Sequence, residues 1–205
     1  MIAFEDQLKA GGAHAIRLAA EFLMDKGPVH ESLNDISRRL DELNVDYAVV
    51  DGMALVAHGY RRTTDDVDIL VTQTDLETIH AALSGRGYLP PFEGSKQLRD
   101  TQTGVGIEFL ISGQYPGDGK PKSVKFPHPA ETSVVIDGKR YISLVKLVEL
   151  KLASGMTNPG RLRDLADVQE LIRTLDLIDA LADQLDVSVR DEFRRLSRAV
   201  RENPQ

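Results

Sequence analysis

The stretch Asp51-Gly52-Met53-Ala54-Leu55-Val56-Ala57-His58-Gly59-Tyr60-Arg61-Arg62-Thr63-Thr64-Asp65-Asp66-Val67-Asp68-Ile69-Leu70-Val71 decides how this chain is read. It follows Tyr47-Ala48-Val49-Val50, a short apolar run of strand character. Asp51-Gly52 makes a turn, Met53 to His58 form a small helix, and Gly59 ends it. Asp65 to Val71 read as a second strand in which Val67, Ile69 and Val71 share one face. Side chains alternate across a strand, so Asp66 and Asp68 project together from the other face. Two carboxylates held side by side repel, and without a counter-charge one moves toward protonation. A divalent cation removes that conflict. Hard oxygen ligands suit Mg²⁺ or Mn²⁺, and the spacing lets the pair bridge two ions about 3.5–4 Å apart. Taken alone, Asp-x-Asp also describes an acidic, solvated strand edge. The tight turn upstream adds weight, because free backbone N–H groups and the dipole at a helix start attract phosphate.

The pattern Gly52-x-Ala54-x3-His58-Gly59-x2-Arg62-x-Thr64-x-Asp66-Val67-Asp68-Ile69-Leu70 resembles the minimal nucleotidyltransferases of the DNA polymerase β superfamily. That family includes antibiotic nucleotidyltransferases and the transferase toxins of bacterial toxin–antitoxin systems. The resemblance is specific from Tyr47 to Val71 and looser to about Arg173. It implies transfer of a nucleoside monophosphate from an NTP–Mg²⁺ complex to an acceptor hydroxyl, with release of pyrophosphate. It assigns Asp66 and Asp68 to the metals and places Gly52, with Met53 beside it, under the triphosphate. A third carboxylate, from a later strand, helps deprotonate the acceptor. Glu108, in Gly106-Ile107-Glu108-Phe109-Leu110-Ile111, matches that position. With Ile107 and Phe109 facing the core, Glu108 points the other way; an exposed strand glutamate is the plain alternative.

Arg62 either reaches the phosphates or pairs with Asp65 or Asp66. Thr64 is a loop-closing hydroxyl or a site residue. His58 fits best as a favourable charge at the end of the short helix. Farther on, Lys151 and the run Arg161-Leu162-Arg163-Asp164-Leu165-Ala166-Asp167-Val168 look like the lysine and Arg-x-x-Asp signature of the toxin-like branch. There the lysine and an aspartate line the nucleotide cleft, which points to Lys151 and Asp164. Arg163 and Asp167, four apart on a helix, could instead pair with each other. One departure stands out. The family usually has Gly followed by Gly or Ser at the phosphate turn, whereas this chain has Asp51-Gly52. A carboxylate there repels a triphosphate unless it points away or meets a cation.

Working outward, residues 5–25 read as a helix weakened at Gly11-Gly12 and stopped at Gly27-Pro28. Leu33, Ile36, Leu40 and Leu43 mark the next helix, with Ser32 and Asp35 as a capping signal. After a helix started by Asp75, Gln97 to Thr101 and Val105 to Ile111 form a hairpin through Gln102-Thr103-Gly104. Ser112 to Lys122 form an exposed loop, and Asp137-Gly138 joins a second hairpin. From Ser143 the chain is helical, with a break at Asn158-Pro159-Gly160 and further helices over about 161–173, 176–185 and 188–201. The expected fold is α+β or α/β: a nucleotidyltransferase-like mixed sheet flanked by helices. The expected divisions are an N-terminal helix at 1–30, a core at 31–142 and a helical part at 143–205.

The 205 residues carry a net charge of −7 and no cysteine. That excludes disulfides and thiol chemistry and fits a cytoplasmic protein, with neither a secretory leader nor a membrane span in view. It also argues against a coat of non-specific nucleic acid. Arg190, Arg194, Arg198 and Arg201, with Arg195 beside them, form a stripe that either grips RNA or pairs with Asp186, Asp191 and Glu192. None of His14, His30, His58, His80 and His128 neighbours an aspartate at ligand spacing, which disfavours a metal phosphohydrolase. The expected function is a Mg²⁺- or Mn²⁺-dependent nucleotidyltransferase acting on a small molecule, a protein or RNA, with a cognate antitoxin as a candidate partner. The alternative is a catalytically silent member that binds nucleotide or a partner.

Overall fold

The computed structural model describes residues 2–203. Helices α1 (Phe4–Lys9), α2 (Gly12–Leu23) and α3 (Pro28–Glu42) lead to strand β1 (Ala48–Val50), helix α4 (Asp51–Ala57) and strand β2 (Asp66–Val71). Helix α5 (Gln73–Leu83) is followed by β3 (Tyr88–Leu89), β4 (Gln97–Asp100) and β5 (Gly106–Ile111). A long loop then reaches a one-turn helix α6 (Pro129–Thr132), β6 (Ser133–Ile136) and β7 (Lys139–Ile142). The C-terminal part holds α7 (Leu144–Thr157), a 3-10 turn at Pro159–Arg161, α8 (Leu162–Leu175), a 3-10 segment at Asp179–Gln184 and α9 (Val187–Glu202).

All seven strands join one mixed sheet in the order β3-β4-β5-β2-β1-β7-β6. The parallel pairs are β2 with β5 and β1 with β7; the other neighbours run antiparallel. The α+β expectation therefore holds, with a helical C-terminal part. Leu33, Ile36 and Leu40 form the buried stripe of α3, which packs against β2. Leu147, Val148 and Leu152 of α7 meet the buried faces of α8 and α9, including Leu171 and Phe193. These residues belong to one contiguous core that includes the sheet. Among the described residues no helix is long and apolar enough to cross a membrane.

Several local expectations are corrected. The first helix is two, because Gly11 and Gly12 both take left-handed backbone (φ 70° and 68°). Gly27-Pro28 starts α3 instead of stopping α2, since Pro at the first helical turn has no N–H to leave unpaired; α2 already ends at Leu23, before left-handed Asp25 (φ 57°). Ser32 is consequently inside the helix, where it is buried and donates to Asp100 at 2.6 Å. Residues 176–185 are not an α-helix. Asp176 ends α8 in left-handed backbone (φ 49°), and the 3-10 segment turns the chain toward α9. The Asp137-Gly138 hairpin is present, with φ 47° and 76° as a type I′ turn requires.

Candidate active site

At the end of β1 the chain enters α4 through a sharp turn. Asp51 has φ 47°, a left-handed backbone that Gly, Asn and Asp tolerate best. Gly52 follows for a steric reason: a Cβ there would stand 2.7 Å from both Cβ and Oγ1 of Thr64. Thr64 in turn donates its hydroxyl to Asp66 at 2.8 Å. It therefore does both jobs left open by the sequence, covering the glycine and orienting a carboxylate. Helix α4 has seven residues, so its dipole is short.

Asp68 on β2 stands in register with Glu108 on β5, with Val50 of β1 on its other side, and Asp66 lies two residues back. Registered neighbours in a sheet project from the same face. Ile107 and Phe109 are buried as expected, while Asp66, Asp68 and Glu108 are half-buried and line one open cleft of about 520 Å³. Burial is the chief cause that raises the Asp66 and Asp68 carboxyls. Thr64 lowers Asp66 in part, and repulsion from Asp51 and Glu108 acts on both aspartates. Asp68 is lifted well above its ordinary value, against a weaker pull from Lys151. No side-chain hydrogen bond or ion pair reaches Asp68 or Glu108 among the described residues. Oxygen donors facing a cleft with repulsion unrelieved are what a hard divalent cation requires, so these residues fit Mg²⁺ or Mn²⁺.

A second trio lies beside the first. Oxygens of Asp51, Asp164 and Asp167 come within 4.8 Å of one another, whereas those of Asp66, Asp68 and Glu108 do not all approach so closely. The second trio is already filled by a protein cation. Lys151, only 4% exposed, places Nζ 2.6 Å from Asp51, 3.0 Å from Asp164 and 2.8 Å from Asp167. Arg62 lies 3.1 Å from both Asp51 and Asp167, and Arg161 lies 3.0 Å from Asp164 and 3.6 Å from Asp51. Burial alone would lower the Lys151 ammonium, but Asp51, Asp164 and Asp167 hold it above its ordinary value. Burial would likewise raise Asp51, and Lys151 with the two arginines carries it below.

Six of the eight residues expected at the site line the cleft: Asp66, Asp68, Glu108, Arg62, Lys151 and Asp164. Gly52 lies buried beneath Thr64. Met53 does not reach the cleft; its side chain is 3% exposed and packs in the core, because the α4 turn points it inward. Arg62 pairs with Asp51 and Asp167 rather than with Asp65 or Asp66. Asp167 pairs with Lys151 and Arg62 rather than with Arg163. His58 Nε2 bonds the Ile142 carbonyl at 2.7 Å, away from the cleft. In the C-terminal stripe, Arg194 pairs with Asp183 and Asp191, Arg195 with Glu192, and Arg201 with Asp179.

The loop expected to be exposed is exposed at Gly113, Gln114 and 118–121, and it also forms a wall of the cleft. Gln114, Tyr115, Pro116 and Phe126 line it. Two backbone bonds of 2.8 Å tie Gly113 and Gln114 to Phe126, and Asn158 bonds the Gly117 carbonyl. Gly117 packs so closely on α7 that a Cβ would stand 2.3 Å from Thr157 Oγ1. The two aromatic residues within a Gly- and Pro-rich run were the available sign of this burial.

Neither a protein family nor an individual characterised protein matches the chain by sequence. Solved structures do match by shape. The antibiotic-resistance enzyme ANT(2″)-Ia, in complex with adenylyl-2″-tobramycin, aligns with a TM-score of 0.54 at 14% identity, over 80% of this chain and 96% of that one. The fold is that of the nucleotidyltransferases. A solution structure of the antibiotic-resistance factor ANT(2″)-Ia, which shows substrate-regulated conformation dynamics, aligns at 0.53 with 15% identity over 83% and 96% of the two chains. Lincomycin-bound LnuA, a lincosamide antibiotic adenylyltransferase, aligns at 0.46 with 16% identity over 70% and 96%. At these identities the likeness establishes a nucleotidyltransferase fold and nothing finer.

Proposed function

We propose that the protein is a metal-dependent nucleotidyltransferase that moves a nucleoside monophosphate from an NTP to an acceptor hydroxyl. The observation that carries this reading is the register of Asp68 with Glu108, with Asp66 beside them, next to the Asp51-Gly52 turn in an open cleft. Asp66 and Asp68 would hold the metal, with Glu108 as third ligand. When bound, the divalent ion supplies charge stabilisation for an in-line displacement at the α-phosphate. Glu108, at the β5 side of the pair, is placed to accept the acceptor's proton. Gly52 leaves room for Thr64 to close over the turn, and Arg62, Lys151 and Asp164 would shape the wall the triphosphate faces. The adenylyl-2″-tobramycin held by ANT(2″)-Ia makes a small hydroxylated molecule the first acceptor class to try. Protein and RNA hydroxyls follow, the latter weakened by the paired arginines of α9.

Calorimetric titration of each NTP with Mg²⁺ into wild type and Asp66→Ala/Asp68→Ala tests the reading. Metal-dependent binding of one NTP, lost in the double variant, is expected. Failure of the wild type to bind any NTP at millimolar concentration would sink it. Nucleotide binding without turnover is the second reading, favoured by Asp51, whose carboxylate already occupies the cations at the turn. A toxin–antitoxin role rests on the resemblance of Lys151 and the 161–167 run. Growth arrest on expression, relieved by the product of a neighbouring gene, is its test.

A further inference from the structure

The backbone at Asp51 is left-handed, a conformation glycine adopts without strain, yet the position carries a carboxylate that reaches three cations. We propose that Asp51 is a built-in anion that neutralises the cations at the phosphate turn, so that the cleft accepts nucleotide phosphates only as their metal complexes. Asp51 is then a specificity-determining residue of the reaction proposed above, and the inference rests on that reading.

The charges around the turn balance. Asp51, Asp164 and Asp167 face Lys151, Arg62 and Arg161, and every member of the group contacts at least two others. A metal-free triphosphate or pyrophosphate therefore meets no net positive charge there. Beyond the turn it meets Asp66, Asp68 and Glu108, which repel it. Arg163 and Lys96 also line the cleft, but both are exposed, where solvent screens them. The same phosphates carrying a divalent cation bring the charge that these three carboxylates lack. Removing the charge of Asp51 reverses the balance: Lys151 keeps Asp164 and Asp167, and one cationic charge is left over at the turn. Phosphate then finds a charge-assisted partner without any metal.

The experiment is calorimetric titration of inorganic pyrophosphate and of ATP into wild type, Asp51→Asn and Asp51→Gly, first in EDTA and then in Mg²⁺. Both replacements accept left-handed backbone, and thermal melts check that they fold. In EDTA both variants should bind pyrophosphate about five- to tenfold more tightly than wild type, the range one added charge-assisted contact gives. The gain should vanish in Asp51→Asn/Lys151→Met. If that chain does not fold, the gain should shrink in Asp51→Asn/Arg161→Gln, whose altered side chain is half-exposed. Folded Asp51 variants with no metal-free gain would overturn the inference, as would wild type that binds pyrophosphate equally well in EDTA and in Mg²⁺. The transferase reading fails separately, by loss of metal dependence at Asp66 and Asp68.

Discussion

Two groups of three carboxylates share one cleft, and their surroundings differ in kind. Asp51, Asp164 and Asp167 close around the ammonium of Lys151, with Arg62 and Arg161 outside it. Asp66, Asp68 and Glu108 sit on β2 and β5, where among the described residues the Thr64 hydroxyl is the one side-chain hydrogen-bond partner they have. In the first group the protein has supplied the counter-charge itself, so the carboxylates contribute to the fold. In the second it has not, and burial and repulsion lift the aspartates instead. The contrast separates acidic residues that hold a structure together from acidic residues whose repulsion the protein leaves unrelieved. Among the described residues, the acidic trio whose oxygens all lie within 4.8 Å of one another is already occupied by Lys151.

The contrast breaks most visibly at Lys151. Lys151→Met should strand carboxylates in a buried site and cost about 3–5 kcal/mol of stability, read as a fall in denaturant midpoint. A loss under about 1 kcal/mol would show that Arg62, Arg161 and solvent, and not Lys151, neutralise the trio. Gly52→Ala comes next, because the new Cβ would meet Thr64 at 2.7 Å. We expect about 1–3 kcal/mol of overpacking cost and weaker NTP binding from a displaced turn. An unchanged melting temperature and NTP affinity would contradict the close approach.

The third prediction concerns pH. Asp68 is raised in the folded protein above its ordinary value of 3.8, so the native state holds its proton longer than the unfolded chain does. Stability of the metal-free protein should therefore fall as pH rises from about that ordinary value through the raised one, by at most about 1.4 kcal/mol per pH unit for one proton. Asp68→Asn should flatten the curve in EDTA and remove any stabilisation by Mg²⁺. A pH profile identical in wild type and variant would show that Asp68 carries no such cost. The smallest effect belongs to Thr64→Val, which keeps shape and loses the bond to Asp66, worth about 0.5–1.5 kcal/mol. Metal affinity should weaken severalfold and return in Thr64→Ser; equal loss in both variants would make the hydroxyl irrelevant.

Local periodicity made half of this arrangement readable in advance. Alternation along a strand placed Asp66 with Asp68 and turned Glu108 away from Ile107 and Phe109, and the structure agrees. Lys151 was reachable only through the resemblance, and it is buried on α7 beside Leu150 and Leu152. The partners of Lys151 were not readable, because Asp51 is separated from it by 100 positions and only tertiary packing joins them. Asp51 therefore looked like an isolated repulsive charge. Met53 was misplaced because lying next to a turn in sequence says nothing about which way a helical side chain points. Residues 176–185 have helical composition, but the chain must bend there to bring α9 onto α7, and Asp176 makes the bend. The roles of Asp66, Asp68 and Glu108 await the titrations described above.

The long reach of the Asp51 contacts also bears on how the molecule is made. A chain synthesised from its N-terminus releases β1, α4 and β2 well before residues 151–167. Throughout that interval the turn carboxylate has only Arg62 from its final set of cations, and the other two arrive together with the two aspartates that share Lys151. Charge neutralisation at the turn is thus among the last steps of maturation, and it stitches the first half of the protein to its C-terminal helices. A nascent or clipped chain that lacks those helices would present an open, acidic cleft with only Arg62 to counter Asp51. The ion-pair group at the turn is consequently complete only once synthesis has passed α8.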